Sequence, residues 1–230
     1  IYSTPEKDGD SSTWKTYTYH ADQSYFYPAS IIKLPVMAIA LEKMTVLKQK
    51  INLQTPFSLN TCSCDKSSDT YVKKSTKRTF EQFMRELLIM SNNDAFNVFV
   101  DFVGLQDFNN RMQELQYHGI CLKNRMILGC GEKNKYLGGF RFRNKNGTIY
   151  EIPCDSVADY GIVNHSYPVT AGKVHVENGI KINGPKDYSA SNFVRLYDIH
   201  NLMIQLFYPK QTGRKDFAID SIYTVSYTHL

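Results

Sequence analysis

The chain has 230 residues, 42% hydrophobic and 13% aromatic, which is enough apolar mass for a folded core and too much for a disordered chain. Its longest apolar run, Leu34 to Leu41, is far short of a membrane span. The net charge of +5 comes from scattered residues. Its densest clusters, Arg141 to Lys145 and Lys73-Lys74 with Lys77-Arg78, accompany no nucleic-acid-binding motif and read as solvated loops.

Residues 14–20 and 24–27 are rich in Tyr and Thr and read as strands. The apolar segment that follows predicts a helix over 29–48. A second helix, over 79–90, has apolar residues at 80, 83, 84, 87 and 88 and Thr79 as its N-cap. Ala95, Phe96, Val98, Phe99, Phe102 and Val103 predict a third over 93–103, stopped by Gly104. A fourth is expected at 106–117. Thr148 to Ile152 reads as a short strand, and Val174 to Ile182 as a hairpin with Asn178-Gly179 at its tip. A last helix is expected from Ala190 to Phe207, before Pro209. The mixture describes an α+β protein with no internal repeat.

One segment carries chemistry. From Ile31 to Leu41, Lys33 is the only residue that is neither apolar nor proline. A helix apolar on all sides belongs in a core, and a lysine there needs a partner or a task. Residues i and i+3 share a helix face, so Ser30 and Lys33 can meet. Burial disfavours the ammonium form and makes the amine a possible general base. Ser30 near a helix N-terminus sits where the dipole favours developing negative charge. This is the pattern of an activated serine nucleophile. The plain alternative is a capping serine beside a lysine that reaches the surface. About one S-x-x-K arises by chance in a chain this long, and two others occur here. Ser12–Lys15 leads into a strand, where i and i+3 face opposite ways. Ser63–Lys66 lies in a polar loop. Only Ser30–Lys33 has an apolar surround.

A second cluster, Ser91-Asn92-Asn93-Asp94, breaks the helical pattern between the second and third helices. By itself it reads as a helix cap, since Ser, Asn and Asp favour helix starts. Ser58 and Asn60 form another S-x-N with no comparable setting.

Taken together, Tyr27-Pro28-Ala29-Ser30-Ile31-Ile32-Lys33-Leu34-Pro35 and Leu87-Leu88-Ile89-Met90-Ser91-Asn92-Asn93 resemble the class A β-lactamase and related serine-hydrolase superfamily, which also holds penicillin-binding proteins. The likeness covers about Trp14 to Pro209, and the two motifs carry its specificity. It implies a β-lactamase/transpeptidase-like α+β fold, with a helical subdomain packed with an antiparallel sheet subdomain. A single catalytic domain would span 1–225, with sheet-forming strands in 1–28, a helical part in 29–140 and a mixed, incomplete part in 141–225. Ser30 would be the acylated nucleophile, and Lys33 would take or relay its proton. Ser91 would pass a proton to the leaving nitrogen, and Asn93 would hold the substrate's acylamide side chain. The Ser30 backbone N–H would form half of an oxyanion hole. The substrate would be a β-lactam or a D-alanyl-D-alanine-type peptide. No cofactor, metal or nucleic-acid partner is implied, and the location would be extracytoplasmic, periplasmic or the cell envelope.

The chain also departs from the pattern. Asn92 stands where the family usually carries Asp, at a position that is mainly structural there. The family's deacylating glutamate lies in E-x-x-L-N. The corresponding window, Asn124 to Asn134, offers only Glu132, without the Leu-Asn context. A solvated loop glutamate is its plainer reading, so deacylation is expected to be slow. K-[ST]-G is not found. Gln211-Thr212-Gly213 lacks the lysine and follows a helix rather than forming a strand. The chain is therefore expected to be C-terminally incomplete, and 226–230 to be a non-native tail.

The five cysteines, Cys62, Cys64, Cys121, Cys130 and Cys154, are odd in number and poorly spaced for zinc. There is no HExxH and no G-x-S-x-G. Two functional readings remain: an acyl-transfer hydrolase, or a binding or sensor protein on the same fold that is acylated once or not at all.

Overall fold

A computed structural model describes residues 1–8, 11–19, 21, 26–60, 78–126, 136–156, 169–177, 179–208 and 216–223. In chain order come β1 (Tyr2–Asp8), β2 (Ser11–Tyr17), a 3-10 turn (Ala29–Ile32), α1 (Lys33–Leu47), β3 (Phe57–Asn60), α2 (Phe80–Ile89), α3 (Asn93–Val103) and α4 (Leu105–Glu114). These are followed by β4 (Ile120–Cys121), β5 (Tyr136–Leu137), β6 (Gly139–Asn144), β7 (Gly147–Ile152) and β8 (Asp155–Ser156). Next are β9 (Thr170–Ala171), β10 (Val174–Glu177), β11 (Ile180–Asn183), β12 (Lys186–Asp187), β13 (Phe193–Val194) and α5 (Leu196–Phe207). They group into two units, one of Ile1–Ile32, Met112–Lys123 and Gly161–Asp216, the other of Lys33–Arg111, Asn124–Tyr160 and Phe217–Leu230.

The second unit is built on α1, which packs against α2 and α3. Apart from Leu34 and Lys43, every α1 residue from Lys33 to Met44 is buried. Pro35 is tolerated because the first turn of a helix has no partner for its backbone N–H groups. A capping box starts α2: Gln82 N donates to Thr79 Oγ1 at 3.4 Å, and Thr79 N donates to Gln82 Oε1 at 3.2 Å. Its apolar stripe, Phe80, Phe83, Met84 and Leu87, turns inward. Three antiparallel strands in the order β3-β6-β7 line up Phe57 with Phe142 and Leu59 with Phe140. Phe57, Phe140 and Phe142 then meet Phe80, whose ring lies 4.6 Å from Phe57 and 4.5 Å from Phe102. Offset and edge contacts of this kind add about 0.5–1.5 kcal/mol per pair beyond area burial. Glu42, itself buried, anchors α1. It takes Arg111 in a two-pronged pair at 2.8 and 2.7 Å and accepts the Ala218 N–H at 2.6 Å.

In the first unit, β1 and β2 pair from Tyr2–Tyr17 to Asp8–Ser11. β13 pairs with β4, Phe193 opposite Cys121, and Phe26 bridges to Val194. α5 is tied to the segment before β4 by Tyr117, whose hydroxyl donates to Gln205, and by Asp198, which accepts the Gly119 N–H at 2.6 Å. A Cβ at Gly119 would sit 2.3 Å from Asp198 Oδ2, so that approach requires glycine.

Several expected boundaries move. The early strand lies at 11–17 rather than 14–20, paired to β1, which polarity had hidden. Of 24–27, residues 24 and 25 lie outside the described residues, and Phe26 makes a lone bridge rather than a strand. The helix expected over 29–48 is split into a 3-10 turn and an α-helix. The fourth helix ends at Glu114, and Gln116 just beyond it turns left-handed at φ +64°. The last helix starts at Leu196, because Phe193 and Val194 are buried as strand β13. The stretch 29–140 also carries β3, β4 and β5, and β6 begins inside it. The helix at 93–103 and the hairpin at 174–182 lie where expected; Gly179 adopts φ +80° at the hairpin tip.

Candidate active site

Ser30 is the second residue of the 3-10 turn, and it is exposed. The turn is closed by the Ile31 N–H on the Pro28 carbonyl at 2.8 Å. The residue before Ser30, Ala29, has φ +43°, an uncommon conformation for a side chain with a Cβ. Such outliers cluster at functional sites, where the surroundings impose them. The helical spacing read from the sequence thus corresponds to a tight turn at Ser30, with the α-helix starting only at Lys33.

The chain passes from the first unit to the second between Ile32 and Lys33. Lys33 opens α1 and is only 3% exposed. Its Nζ donates to Ser91 Oγ at 3.0 Å, to Asn93 Oδ1 at 2.8 Å and to the Ser91 carbonyl. Three acceptors match the three protons of an ammonium. Burial acts the other way and pushes the Lys33 amine below the ordinary lysine value. The group is therefore held as a donor at rest and gives up a proton more easily than a surface lysine.

Ser91 sits at the junction of α2 and α3 with φ +51°. Its carbonyl and hydroxyl both reach Lys33. Asn92 next to it is the N-cap of α3, accepting the Asp94 and Ala95 N–H groups at 2.7 and 3.0 Å. An amide does this as well as a carboxylate, so the Asp-to-Asn departure leaves the local structure intact. Asn93 begins α3, half-buried. The structure thus brings Lys33, Ser91 and Asn93 together within the second unit, and it places Ser30 three residues before Lys33 in the first. Glu132 and Gln211-Thr212-Gly213 lie outside the described residues. Ser12–Lys15 falls on strand β2, and Ser58 with Asn60 on strand β3.

The sequence reading missed a polar stripe on α3. Asn97, one turn beyond Asn93, grips the Met126 backbone both ways at 2.8 Å. Asp101, a turn further, pairs with Arg125 at 2.8 Å. Burial pushes the Asp101 carboxyl up to about 6, against the opposing pull of Arg125 and the Gly138 N–H. Polar residues recurring every four positions on an apolar helix were the available signal.

Cys121 is buried and free, and burial pushes its thiol up to about 11. Cys154 is disulfide-bonded, and its partner lies outside the described residues. No described helix is long and apolar enough to cross a membrane.

A mixed helix-and-sheet protein with a buried lysine bridging a serine and an asparagine from a second motif is the class that fold and site define. The chain matches the beta-lactamase enzyme family over residues 9–148 and belongs to that family. The matched stretch contains Ser30, Lys33, Ser91 and Asn93. No curated protein and no solved structure matches the chain.

Proposed function

We propose that the protein is a serine acyl-transfer hydrolase of the class A β-lactamase type, opening β-lactam rings through a Ser30 acyl-enzyme that deacylates slowly. One observation carries the reading: the Lys33 amine is buried and hydrogen-bonded to both Ser91 Oγ and Asn93 Oδ1, which lie about sixty residues away along the chain. Family membership supports it.

In this scheme Ser30 Oγ attacks the lactam carbonyl carbon, and its proton passes to Lys33 in the neutral form. The carbonyl then re-forms, the C–N bond breaks, and Ser91 delivers its proton to the departing nitrogen while taking the one held by Lys33, to which it is hydrogen-bonded. The result is an ester on Ser30 and a ring-opened amine. Water then attacks the ester, releasing the acid and restoring the Ser30 hydroxyl. Asn93 turns Oδ1 toward Lys33, so its Nδ2 is the atom offered to the substrate's amide carbonyl. Ester hydrolysis needs a separate base aimed at water, and the Asn124 to Asn134 window lacks E-x-x-L-N. A D-alanyl-D-alanine peptide, whose amide has the same reacting geometry, is the alternative substrate. The reading takes 1–225 as one catalytic domain. The Cys154 disulfide supports an oxidising, extracytoplasmic location.

A chromogenic cephalosporin should give a burst of one acyl group per enzyme followed by slow turnover, with the adduct on Ser30 found by mass spectrometry. Ser30→Ala should abolish labelling, and Ser12→Ala and Ser63→Ala should not. Labelling that survives Ser30→Ala sinks the assignment. Steady turnover above about 100 per second would contradict slow deacylation.

A further inference from the structure

Three residues before the nucleophile, Tyr27 keeps 56% of its surface in contact with solvent. It is not a loosely tethered ring. Pro28 behind it is buried, and the turn from Pro28 to Ile31 is closed by a backbone hydrogen bond at 2.8 Å. Phe26 on its other side is bridged to Val194. Three residues of chain span at most about 10 Å, so the backbone of Tyr27 lies within that distance of Ser30. Its ring meets that of Tyr188 with centroids 5.4 Å apart at 41°. Tyr188 is itself anchored: its N–H bonds the Val169 carbonyl at 2.8 Å, and it packs on buried Cys121 and Phe193. Lys186 places its amine 5.8 Å from the Tyr188 ring centroid. Asp187, next to it, accepts the Ser189 N–H at 2.8 Å. The Ser30 side of the first unit therefore presents a fixed aromatic shelf with a cation at its margin.

We infer that Tyr27 and Tyr188 are specificity-determining residues, selecting acyl substrates whose side chain carries an aromatic ring, and that Lys186 favours an acidic group beside that ring. The inference rests on the reading of Ser30 as the acylated nucleophile. The reasons are physical. A planar ring gains offset or edge contacts on an immobile aromatic pair that an alkyl chain of equal size does not. A carboxylate beside an amine over an aromatic face adds charge complementarity.

The test compares acylation of Ser30 by penicillins with carboxybenzyl, benzyl and pentyl side chains, and by p-nitrophenyl esters of the corresponding acids. Benzyl should exceed pentyl by about fivefold, the size of one aromatic contact, with carboxybenzyl faster still. Tyr27→Ala and Tyr188→Ala should reduce the benzyl-to-pentyl ratio to less than about twofold, with labelling by a fluorophosphonate without a side chain showing that Ser30 is still reactive in each variant. Tyr27→Phe should keep the preference, and Lys186→Ala should remove only the carboxybenzyl advantage. A benzyl preference that is absent in the wild type, or that persists in both alanine variants, overturns the shelf. If the esters acylate Ser30 with ring preference and the penicillins do not react, the shelf stands and the β-lactam reading fails. If no reagent acylates Ser30, the nucleophile assignment fails and the shelf with it.

Discussion

Replacing Lys33 by Met separates a proton-handling role from a structural one. Methionine keeps the unbranched stem in the apolar surround of α1 and removes the amine. Three hydrogen bonds are lost, to Ser91 Oγ, the Ser91 carbonyl and Asn93 Oδ1. Bonds from a charged donor are worth about 1.5–3 kcal/mol each, but removing a buried ammonium also removes a desolvation penalty of several kcal/mol. Ser91 is exposed and Asn93 half-buried, so water can take the place of the amine on both. The two effects offset, and Lys33→Met should change folding stability by less than about 2 kcal/mol. Acylation should behave differently. Loss of a general base removes about 10²–10⁴ in rate, which is about 2.7–5.4 kcal/mol of barrier. Lys33→Arg should fail similarly, because it keeps the charge and cannot deprotonate. Urea unfolding measures the first quantity, and stopped-flow acylation of Ser30 by a fluorescent penicillin measures the second. Acylation within about tenfold of wild type in the Met variant, about 1.4 kcal/mol, would refute a proton-handling Lys33. The same result in the Arg variant alone would show that positive charge suffices.

Asn92→Ala removes the cap of α3 and should cost about 1 kcal/mol in urea unfolding, while Ser30 labelling falls only as far as the Ser91–Asn93 turn loosens; an unchanged midpoint would deny the cap its role. Asp101 should make stability depend on pH. Burial raises its carboxyl from the ordinary 3.8 to about 6 in the folded protein, so the native state holds that proton more tightly. Stability then falls as pH rises from about 4 to 6, by about 3 kcal/mol at about 1.4 kcal/mol per pH unit. Asp101→Asn should lack this contribution, and equal pH slopes for variant and wild type in urea unfolding would contradict it.

Local signals were enough for the helices at 79–90 and 93–103. Thr79, Gln82, Asn92 and Gly104 are capping residues whose chemistry acts within one turn, and the apolar spacing between them is regular. The hairpin at 174–182 was equally local, because Asn-Gly encodes its own turn. The candidate site residues stood out for a similar reason: a lysine in an apolar run and a polar break between two apolar helices are anomalies of the sequence itself. What joins them was not legible. That Lys33 points at Ser91 and Asn93 depends on α1 crossing the α2–α3 junction, and tertiary packing alone decides such a crossing. Strand β1 was hidden because Tyr2 to Asp8 lacks alternation and gains its hydrogen bonds only from β2. Strand β13 took Phe193 and Val194 from the expected last helix, because pairing with β4 buries them better than a helical turn would. The Asn97 and Asp101 grip on Met126 and Arg125, and the Tyr27–Tyr188 pair, likewise join residues far apart in the chain. Composition and periodicity carry information over a few turns, and contacts of this kind exist only once the chain has folded back on itself.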